Sequence, residues 1–153
     1  MIKQKKNLSI KNKFINHLII NGKKNKSEKI VCKSIKDLQA ISKKSSKKLV
    51  QLALVSTTPI FKISTITQKK RKKKKQKSRI IPTFIATKTS RTSFAIKFIV
   101  KTAKKRKNQT LLQKLSEEIL LTLNGKSNAV EIKEETQKQV FLNRTLFQYY
   151  RWR

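Results

Sequence analysis

The feature that most constrains this chain is its charge. Forty lysine and arginine residues stand against seven aspartate and glutamate residues, which leaves a formal net charge of +33 on 153 residues. Repulsion at that level opposes compaction unless a polyanion supplies the counter-charge. Nucleic acid does so well, because each neutralised phosphate also releases condensed counterions. The charge therefore predicts a nucleic-acid partner.

The same composition excludes several classes of protein. The apolar runs all fall well short of the roughly 20 residues that a membrane span needs. Cys32 and His17 are the only cysteine and histidine, so the usual Cys/His metal site cannot be assembled. Gly22 and Gly125 are the only glycines, which excludes a glycine-rich phosphate loop, and no histidine-paired nucleophile or carboxylate dyad is present. We therefore expect no enzyme, no metal or other cofactor, no small-molecule substrate and no membrane partner.

Apolar residues recur at helical spacing in six regions of the chain. Thr110 and Gln113 have the spacing of a capping box, and Asn124-Gly125 follows an apolar run as a C-terminal stop. Glu134 and Glu135 suit the positive end of the dipole of the last helix. The predicted helices span residues 11–21, about 27–41, Ser45 or Ser46 to Thr57-Thr58-Pro59, about 90–107, 110–124 and about 133–150.

The region between the third and fourth helices changes to a strand pattern. Residues 60–67 and 79–85 are rich in β-branched side chains, and they flank residues 68–78, which are almost wholly lysine and arginine. The connection has no glycine or asparagine, so it cannot be a tight primed turn. Two strands around a long polar connection predict a protruding hairpin.

The length of the chain and its continuous set of apolar faces predict one domain. The predicted fold class is mainly α, a six-helix bundle with one long protruding β-hairpin, about residues 60–85, inserted after the third helix. Residues 1–10 are expected to form a basic N-terminal arm, and residues 11–153 a single helical domain that binds nucleic acid.

Basic residues gather where these elements would present them to a polyanion. A lysine-rich tip between two strands fits phosphate contact better than a solvated loop, because a narrow arm can enter a groove that a globule cannot follow. Lys97, Lys101 and Lys104 recur on one side of the fourth helix, opposite Phe98 and Ile99, although any soluble helix also turns its charges outward. The candidate RNA-binding residues are Lys23, Lys24, Lys26, Lys69, Lys70, Arg71, Lys72, Lys73, Lys74, Lys75, Lys77, Arg79, Lys88, Arg91, Lys97, Lys101, Lys104, Lys105 and Arg106.

The last five residues interleave aromatic and basic side chains. Tyr149, Tyr150 and Trp152, together with Arg151 and Arg153, are candidates for stacking on nucleic-acid bases. The alternative is that one or two of these rings anchor the last helix to the core. The residues alone leave both interpretations open.

Four segments resemble the small-subunit ribosomal protein seven family, and they occur in the family's order. Residues 14–31, FINHLIINGKKNKSEKIV, are similar to its first-helix signature, and residues 94–106, FAIKFIVKTAKKR, are similar to its fourth helix. Residues 129–144 resemble the stretch before the family's last helix. Tyr150-Arg151-Trp152 is similar to the family's bacterial and mitochondrial ending.

The resemblance implies a structural constituent of the small ribosomal subunit. It implies binding to the 3′ major domain of small-subunit rRNA, organisation of the head, neighbouring head and platform proteins, and a place along the exit-site path of tRNA and mRNA. The family's Gly-Gly hairpin turn is replaced here by the lysine-rich tip, which should provide affinity rather than sequence readout because lysine lacks the planar fork of arginine. The alternative is a free-standing, histone-like nucleic-acid-condensing protein. The long apolar faces and the ordered resemblance favour the ribosomal interpretation.

The composition also bears on the compartment. Lysine, isoleucine and asparagine share A/T-rich codons and are abundant, which is typical of a gene from an A/T-biased organellar genome. The Tyr-Arg-Trp ending favours the mitochondrion over the plastid. We therefore expect the small ribosomal subunit of a mitochondrion, with the plastid as the alternative.

Overall fold

The computed structural model describes residues 9–43, 45–67, 78–107 and 110–149. Within these ranges the chain forms six α-helices, a two-stranded antiparallel sheet and a short 3₁₀-helix. The predicted fold class is confirmed, including the position of the hairpin after the third helix. In chain order the elements are α1 (Ile10–Leu18), α2 (Lys24–Ser42), α3 (Ser46–Thr57), β1 (Phe61–Thr67), β2 (Ser78–Phe84), α4 (Lys88–Lys105), α5 (Leu111–Leu123), α6 (Asn128–Leu142) and the 3₁₀-helix (Arg144–Tyr149).

Local capping residues fix several helix starts. The predicted capping box of α5 is present: the Gln113 backbone N–H donates to the Thr110 hydroxyl, and the Thr110 backbone N–H donates to the Gln113 side chain. The Ser9 hydroxyl accepts a hydrogen bond from the Asn12 backbone N–H, so α1 begins at Ile10, which the sequence had assigned to the basic arm. Residues 1–8 of that arm lie outside the described residues.

Helix α6 was predicted to begin near residue 133, and this prediction was wrong. Ser127 caps the helix by accepting a hydrogen bond from the Ala129 backbone N–H at 3.0 Å, so α6 begins at Asn128. Glu131 therefore occupies the first turn, while Glu134 and Glu135 lie too far along to compensate the dipole. The helix also ends at Leu142 and continues as the 3₁₀-helix, rather than running to residue 150.

The turn between α1 and α2 has the predicted length but lies about three residues earlier in the chain. Helix α1 ends at Leu18 rather than at Asn21, and α2 begins at Lys24 rather than near Ser27. Asn21 and Gly22 both adopt positive φ values, 50° and 71°, and this left-handed pair reverses the chain within a few residues. In the described part of the chain, no helix is both long and apolar enough to cross a bilayer.

The core forms where α5 packs against α2, α3 and α4. Helix α4 buries Ala95, Ile96, Ile99 and Ala103 completely. Phe98 was predicted to belong to this buried face, but it is only partly buried at the border of the core, and Ile96 takes the central position. The buried face of α4 is thus turned by roughly 60° about the helix axis from the predicted one, given about 100° per residue.

The base of the hairpin is fastened to the bundle by aromatic and arginine contacts. Phe61 lies opposite Phe84 in the ladder, with ring centroids 5.9 Å apart, and also contacts Phe147 of the 3₁₀-helix at 5.6 Å. The Arg91 Nε donates to the Ile85 carbonyl at 2.7 Å, and the Arg91 guanidinium lies 5.1 Å from the centroid of the Phe84 ring. These contacts set the direction in which the hairpin leaves α4.

Candidate nucleic-acid interface

A row of lysines forms the outer face of α4. Lys97, Lys101, Lys104 and Lys105 are all exposed, because the opposite side of the helix is buried in the core. The ion pairs among the described residues are Lys11–Glu28, Arg106–Glu117 and Arg106–Glu118, and none includes a lysine of this row. The row is therefore a concentration of positive charge without an internal counter-ion.

Helix α1 adds to the same side of the molecule. The Lys13 Nζ donates to the Thr92 hydroxyl at 2.9 Å and to the Thr89 carbonyl at 3.4 Å, which ties α1 to the first turns of α4. Partial burial of the imidazole and, second, the positive charge of Lys97 hold the pKa of His17 below its ordinary value of 6.5. His17 is therefore largely neutral at physiological pH, and the positive charge of this surface resides on its lysines.

Two of the arginines assigned to RNA from the sequence, Arg91 in the first turns of α4 and Arg106 directly after its last residue, make contacts within the protein. Arg106 donates from Nε to Glu118 Oε2 at 2.8 Å, and its Nη2 lies 2.6 Å from the same oxygen. Glu118 is completely buried, and its Oε1 has no hydrogen-bond partner among the described residues. Arg91 holds the hairpin base, as described above. RNA contact by these arginines stays a prediction, while their guanidinium forks already serve the packing of α4 against its neighbours.

Lysines also stand at helix N-termini, where they oppose the helix dipole. Lys23, Lys24 and Lys26 are exposed at the start of α2, and Lys88 is exposed as the first residue of α4. Five of the six helices have no acidic residue in the first turn. An external anion would neutralise these ends, so the arrangement favours a phosphate-bearing partner.

The two strands of the hairpin flank the lysine-rich segment in the sequence. The ladder runs from the Phe61–Phe84 pair to the Thr67–Ser78 pair, and seven residues at about 3.3 Å each make an arm roughly 20 Å long. The residues of its connection lie outside the described residues, and so do Arg79's side chain, Tyr149's side chain and the chain end. The candidates concerned are Lys69, Lys70, Arg71, Lys72, Lys73, Lys74, Lys75, Lys77, Arg79, Tyr149, Tyr150, Arg151, Trp152 and Arg153.

Two residues of this surface were missed from the sequence. Lys13 was not a candidate although its ammonium joins α1 to α4, and His17 was not singled out from the sequence as a site residue. Lys13 and His17 lie four residues apart on α1, and each comes directly before a buried residue, Phe14 or Leu18. Their helical spacing therefore indicated that they share one face of α1. The sequence did not show which helix packs against α1, so the contact with α4 could not be predicted.

Comparison with known proteins identifies the family of this chain. The sequence pattern of the family described as Ribosomal protein S7p/S5e matches residues 1–144. Small ribosomal subunit protein uS7 of Wigglesworthia glossinidia brevipalpis is 31% identical over 146 residues, covering 95% of this chain and 88% of that protein. Small ribosomal subunit protein uS7c of Euglena gracilis is 31% identical over 139 residues, 90% of this chain and 84% of that protein.

A third relative, uS7c of Euglena longa, is 35% identical over 125 residues, which cover 81% of this chain and 66% of that protein. These matches confirm the resemblance drawn from the sequence and the prediction of a structural protein rather than an enzyme. The chain belongs to the Ribosomal protein S7p/S5e family and is a structural constituent of the small ribosomal subunit.

Proposed function

We propose that this protein binds the 3′ major domain of small-subunit rRNA, organises the head of the subunit and lines the exit-site path of tRNA and mRNA. The observation that carries the proposal is the lysine row of α4, which makes no ion pair among the described residues, together with the roughly 20 Å hairpin that precedes the same helix in the chain. A flat basic face and a narrow basic arm suit a folded RNA that offers both a backbone surface and a groove.

The chemistry of the row suits phosphate rather than base edges. Lysine ammonium groups are point charges on flexible stems and do not match the paired acceptors of a base edge as arginine does. The two arginines of α4 that are described are committed to Ile85 and to Glu118. The surface therefore supplies affinity and position, while specificity comes from the shape of the rRNA.

Footprinting tests the assignment to the 3′ major domain. Small-subunit rRNA bound by the full chain is probed chemically along its backbone, with and without the protein. Protection within the 3′ major domain is the expected result, and protection confined to another domain would contradict the proposal.

A variant of the hairpin tip, residues 69–75, tests whether this segment contacts rRNA or tRNA. Residues 69–75 contain no apolar residue, so changing them all to serine should leave the free energy of unfolding unchanged. If the tip contacts the exit-site path, subunits with this variant should assemble but hold less exit-site tRNA. Normal exit-site occupancy together with normal rRNA affinity would contradict any RNA role for the tip.

For the compartment, we propose the mitochondrion, with the plastid as the alternative. The relatives include bacterial proteins and the uS7c forms of Euglena, and the Tyr150-Arg151-Trp152 ending and the A/T-biased composition support an organelle. Sedimentation of separated organelles decides between them. Co-migration with small subunits from mitochondria is expected, and co-migration only with plastid subunits would select the alternative.

A further inference from the structure

A groove on the protein surface lies between three helices of the bundle. It is lined by the first residue of α1, the second half of α3 and the first turns of α4. Its volume is about 800 Å³, which is within the range of sites that hold small organic groups. No acidic residue is among the described residues that line it. The groove is therefore a concave surface large enough for one planar group and its substituents, without a negative charge of its own.

Helix α3 forms one wall of the groove and combines apolar side chains with an amide. Gln51 and Val55 are four residues apart, so their side chains are neighbours on one face of the helix. Leu54, which also lines the groove, is 3% exposed and belongs to the core, whereas Val55 is 73% exposed. Ile10 of α1 adds a further apolar side chain. The Gln51 amide is exposed and offers a donor and an acceptor side by side next to this apolar surface.

Helix α4 forms a second wall, and its chemistry changes at the groove. Lys88 and Thr92 line the groove and belong to the same helical stripe as Ala95 and Ile99, at spacings of three and four residues. Ala95 and Ile99 are completely buried, whereas Lys88 is exposed. The stripe thus turns from apolar to polar where the core ends and the groove begins. Lys88 is also the first residue of α4, whose first turn has no acidic residue, so an ammonium and the positive end of the helix dipole lie together here.

Two further cations lie at the groove and are held in place by the protein. Arg91 lines the groove and donates from Nε to the Ile85 carbonyl at 2.7 Å. The Lys13 Nζ donates at 2.9 Å to the hydroxyl of Thr92, which is a lining residue. None of Lys13, Lys88 and Arg91 forms an ion pair within the described ranges. The groove therefore favours an anionic occupant and disfavours a basic polypeptide.

We propose that this groove binds one unpaired nucleotide of the rRNA. Its base lies against Leu54 and Val55, and one edge of that base pairs with the Gln51 amide, since unpaired RNA bases are read on their edges and a glutamine amide matches such an edge. Its phosphate lies at Lys88 and the N-terminus of α4. An acidic polypeptide would satisfy the cations alone, whereas a nucleotide unites an anion, a flat face and a hydrogen-bonding edge in one unit. The inference rests on the proposed function, because it takes the bound RNA to be rRNA.

Two substitutions in the groove should weaken RNA binding in different ways. Gln51→Ala keeps the helix, because alanine is the best helix former, but removes the contact with the base edge. Affinity for small-subunit rRNA should then fall roughly fivefold or more, while the slope of log K against log salt stays unchanged because no charge is lost. Lys88→Gln should flatten that slope by about 0.7–0.9. Gln39→Ala, at an exposed position of α2, is the matched control and should change neither quantity. An affinity of Gln51→Ala equal to that of the parent protein would overturn the proposal.

A photo-crosslinking amino acid at position 55 of the full chain tests which molecule occupies the groove. In assembled subunits it should give an adduct to rRNA that nuclease trims to a single nucleotide on the peptide, whereas the same amino acid at position 39 should not. An adduct to another protein, to a second copy of this chain, or to added free nucleotides but not to rRNA would overturn the proposal.

Chemical probing of the rRNA bases identifies the nucleotide. In the complex with the parent protein, one unpaired base should be shielded from dimethyl sulfate or carbodiimide. Gln51→Ala should restore the reactivity of that base without altering the protection of the backbone, and Gln39→Ala should leave the base shielded. Backbone protection in the 3′ major domain without any base whose reactivity depends on Gln51 would overturn this inference alone. Absence of that backbone protection in the parent complex would instead overturn the proposed function.

Discussion

Helices α3 and α4 pack against the same neighbour, α5, and each buries a row of small and aliphatic side chains there. Outside the core they diverge, since α4 presents Lys97, Lys101 and Lys104, whereas α3 presents Leu52 and Val55. The inner faces are similar because both helices meet the same demand for apolar packing. The outer faces can differ because the core does not constrain them, and the lysines of α4 are the ones proposed to contact RNA.

A second contrast lies within α4 itself. Its arginines at positions 91 and 106 bind a carbonyl and a carboxylate of the same chain, while its lysines extend into solvent. A planar guanidinium can satisfy a fixed acceptor and pack at the same time, which suits a buried joint, and an ammonium on a flexible stem suits an irregular row of phosphates. Arg91 and Arg106 thus make internal contacts, and the exposed lysines of α4 are the proposed phosphate contacts.

The largest expected effect comes from breaking the buried joint. Arg106→Ala leaves the Glu118 carboxylate buried and uncompensated, which should cost about 3–5 kcal/mol in the free energy of unfolding. The neighbouring exposed residue gives the control, because Lys105→Ala should leave that free energy nearly unchanged. Urea denaturation measures both. Equal stability of the two variants would remove the distinction between structural arginines and binding lysines.

The inner and outer faces of α3 allow the same substitution at two positions. Leu54 is 3% exposed and Leu52 is 58% exposed. Leu54→Ala should lower the free energy of unfolding by about 2–5 kcal/mol through the cavity that it leaves. Leu52→Ala should change it by less than about 0.5 kcal/mol, as other surface substitutions do. Thermal denaturation compares them, and a large loss from Leu52→Ala would mean that this side chain packs within the protein.

The smallest effect concerns the electrostatics of the α4 row. Lys97→Gln removes one of the two causes that lower the pKa of His17, so that pKa should rise toward 6.5 without reaching it, because burial remains. The chain has a single histidine, which gives one imidazole signal to follow by NMR titration. Lys126→Gln is the distant control. An unchanged pKa of His17 in the Lys97→Gln variant would show that the charge of Lys97 does not act on the imidazole.

The lowered pKa of His17 also predicts how the free energy of unfolding changes with pH. Because folding lowers the pKa of His17, the unfolded chain binds the proton more readily than the folded one. The contribution of His17 to stability is therefore present above pH 6.5 and is lost as the pH falls from there through the folded value. His17→Gln should remove this part of the acid dependence in a denaturation series. If the free energy of unfolding of the His17→Gln variant fell with acid as it does in the parent protein, this prediction would be contradicted.

What the sequence could predict depended on how local the signal was. Both ends of α5 were correct because Thr110, Gln113 and Asn124-Gly125 are neighbours of the helix that they bound. The start of α6 was missed because its cap, Ser127, follows Gly125 after one residue, and the loop was expected to be longer. The lysine row was identified from periodicity, and its exposure is confirmed.

Long-range pairs were beyond sequence reasoning. Arg106 could be recognised as basic but not as the partner of Glu118, because only the packing of α4 on α5 brings the two together. The exposure of Leu52 and Val55 could not be predicted either, since both resemble core residues until the buried and exposed faces of α3 are known. Propensity and capping are local, whereas the division between packed and presented side chains is a property of the assembled bundle.

The central claim, that the α4 row meets phosphate, is tested most directly by the salt dependence of rRNA binding. Changing Lys97, Lys101 and Lys104 to glutamine preserves the helix, since glutamine is nearly as good a helix former as lysine. If all three contact phosphate, the slope of log K against log salt should flatten by about 2–3, at roughly 0.7–0.9 per contact. The control variant changes Lys126, just before α6, and Lys138, within α6, to glutamine, and it should leave the slope of log K against log salt unchanged. A triple variant that keeps the original slope and affinity would contradict the account.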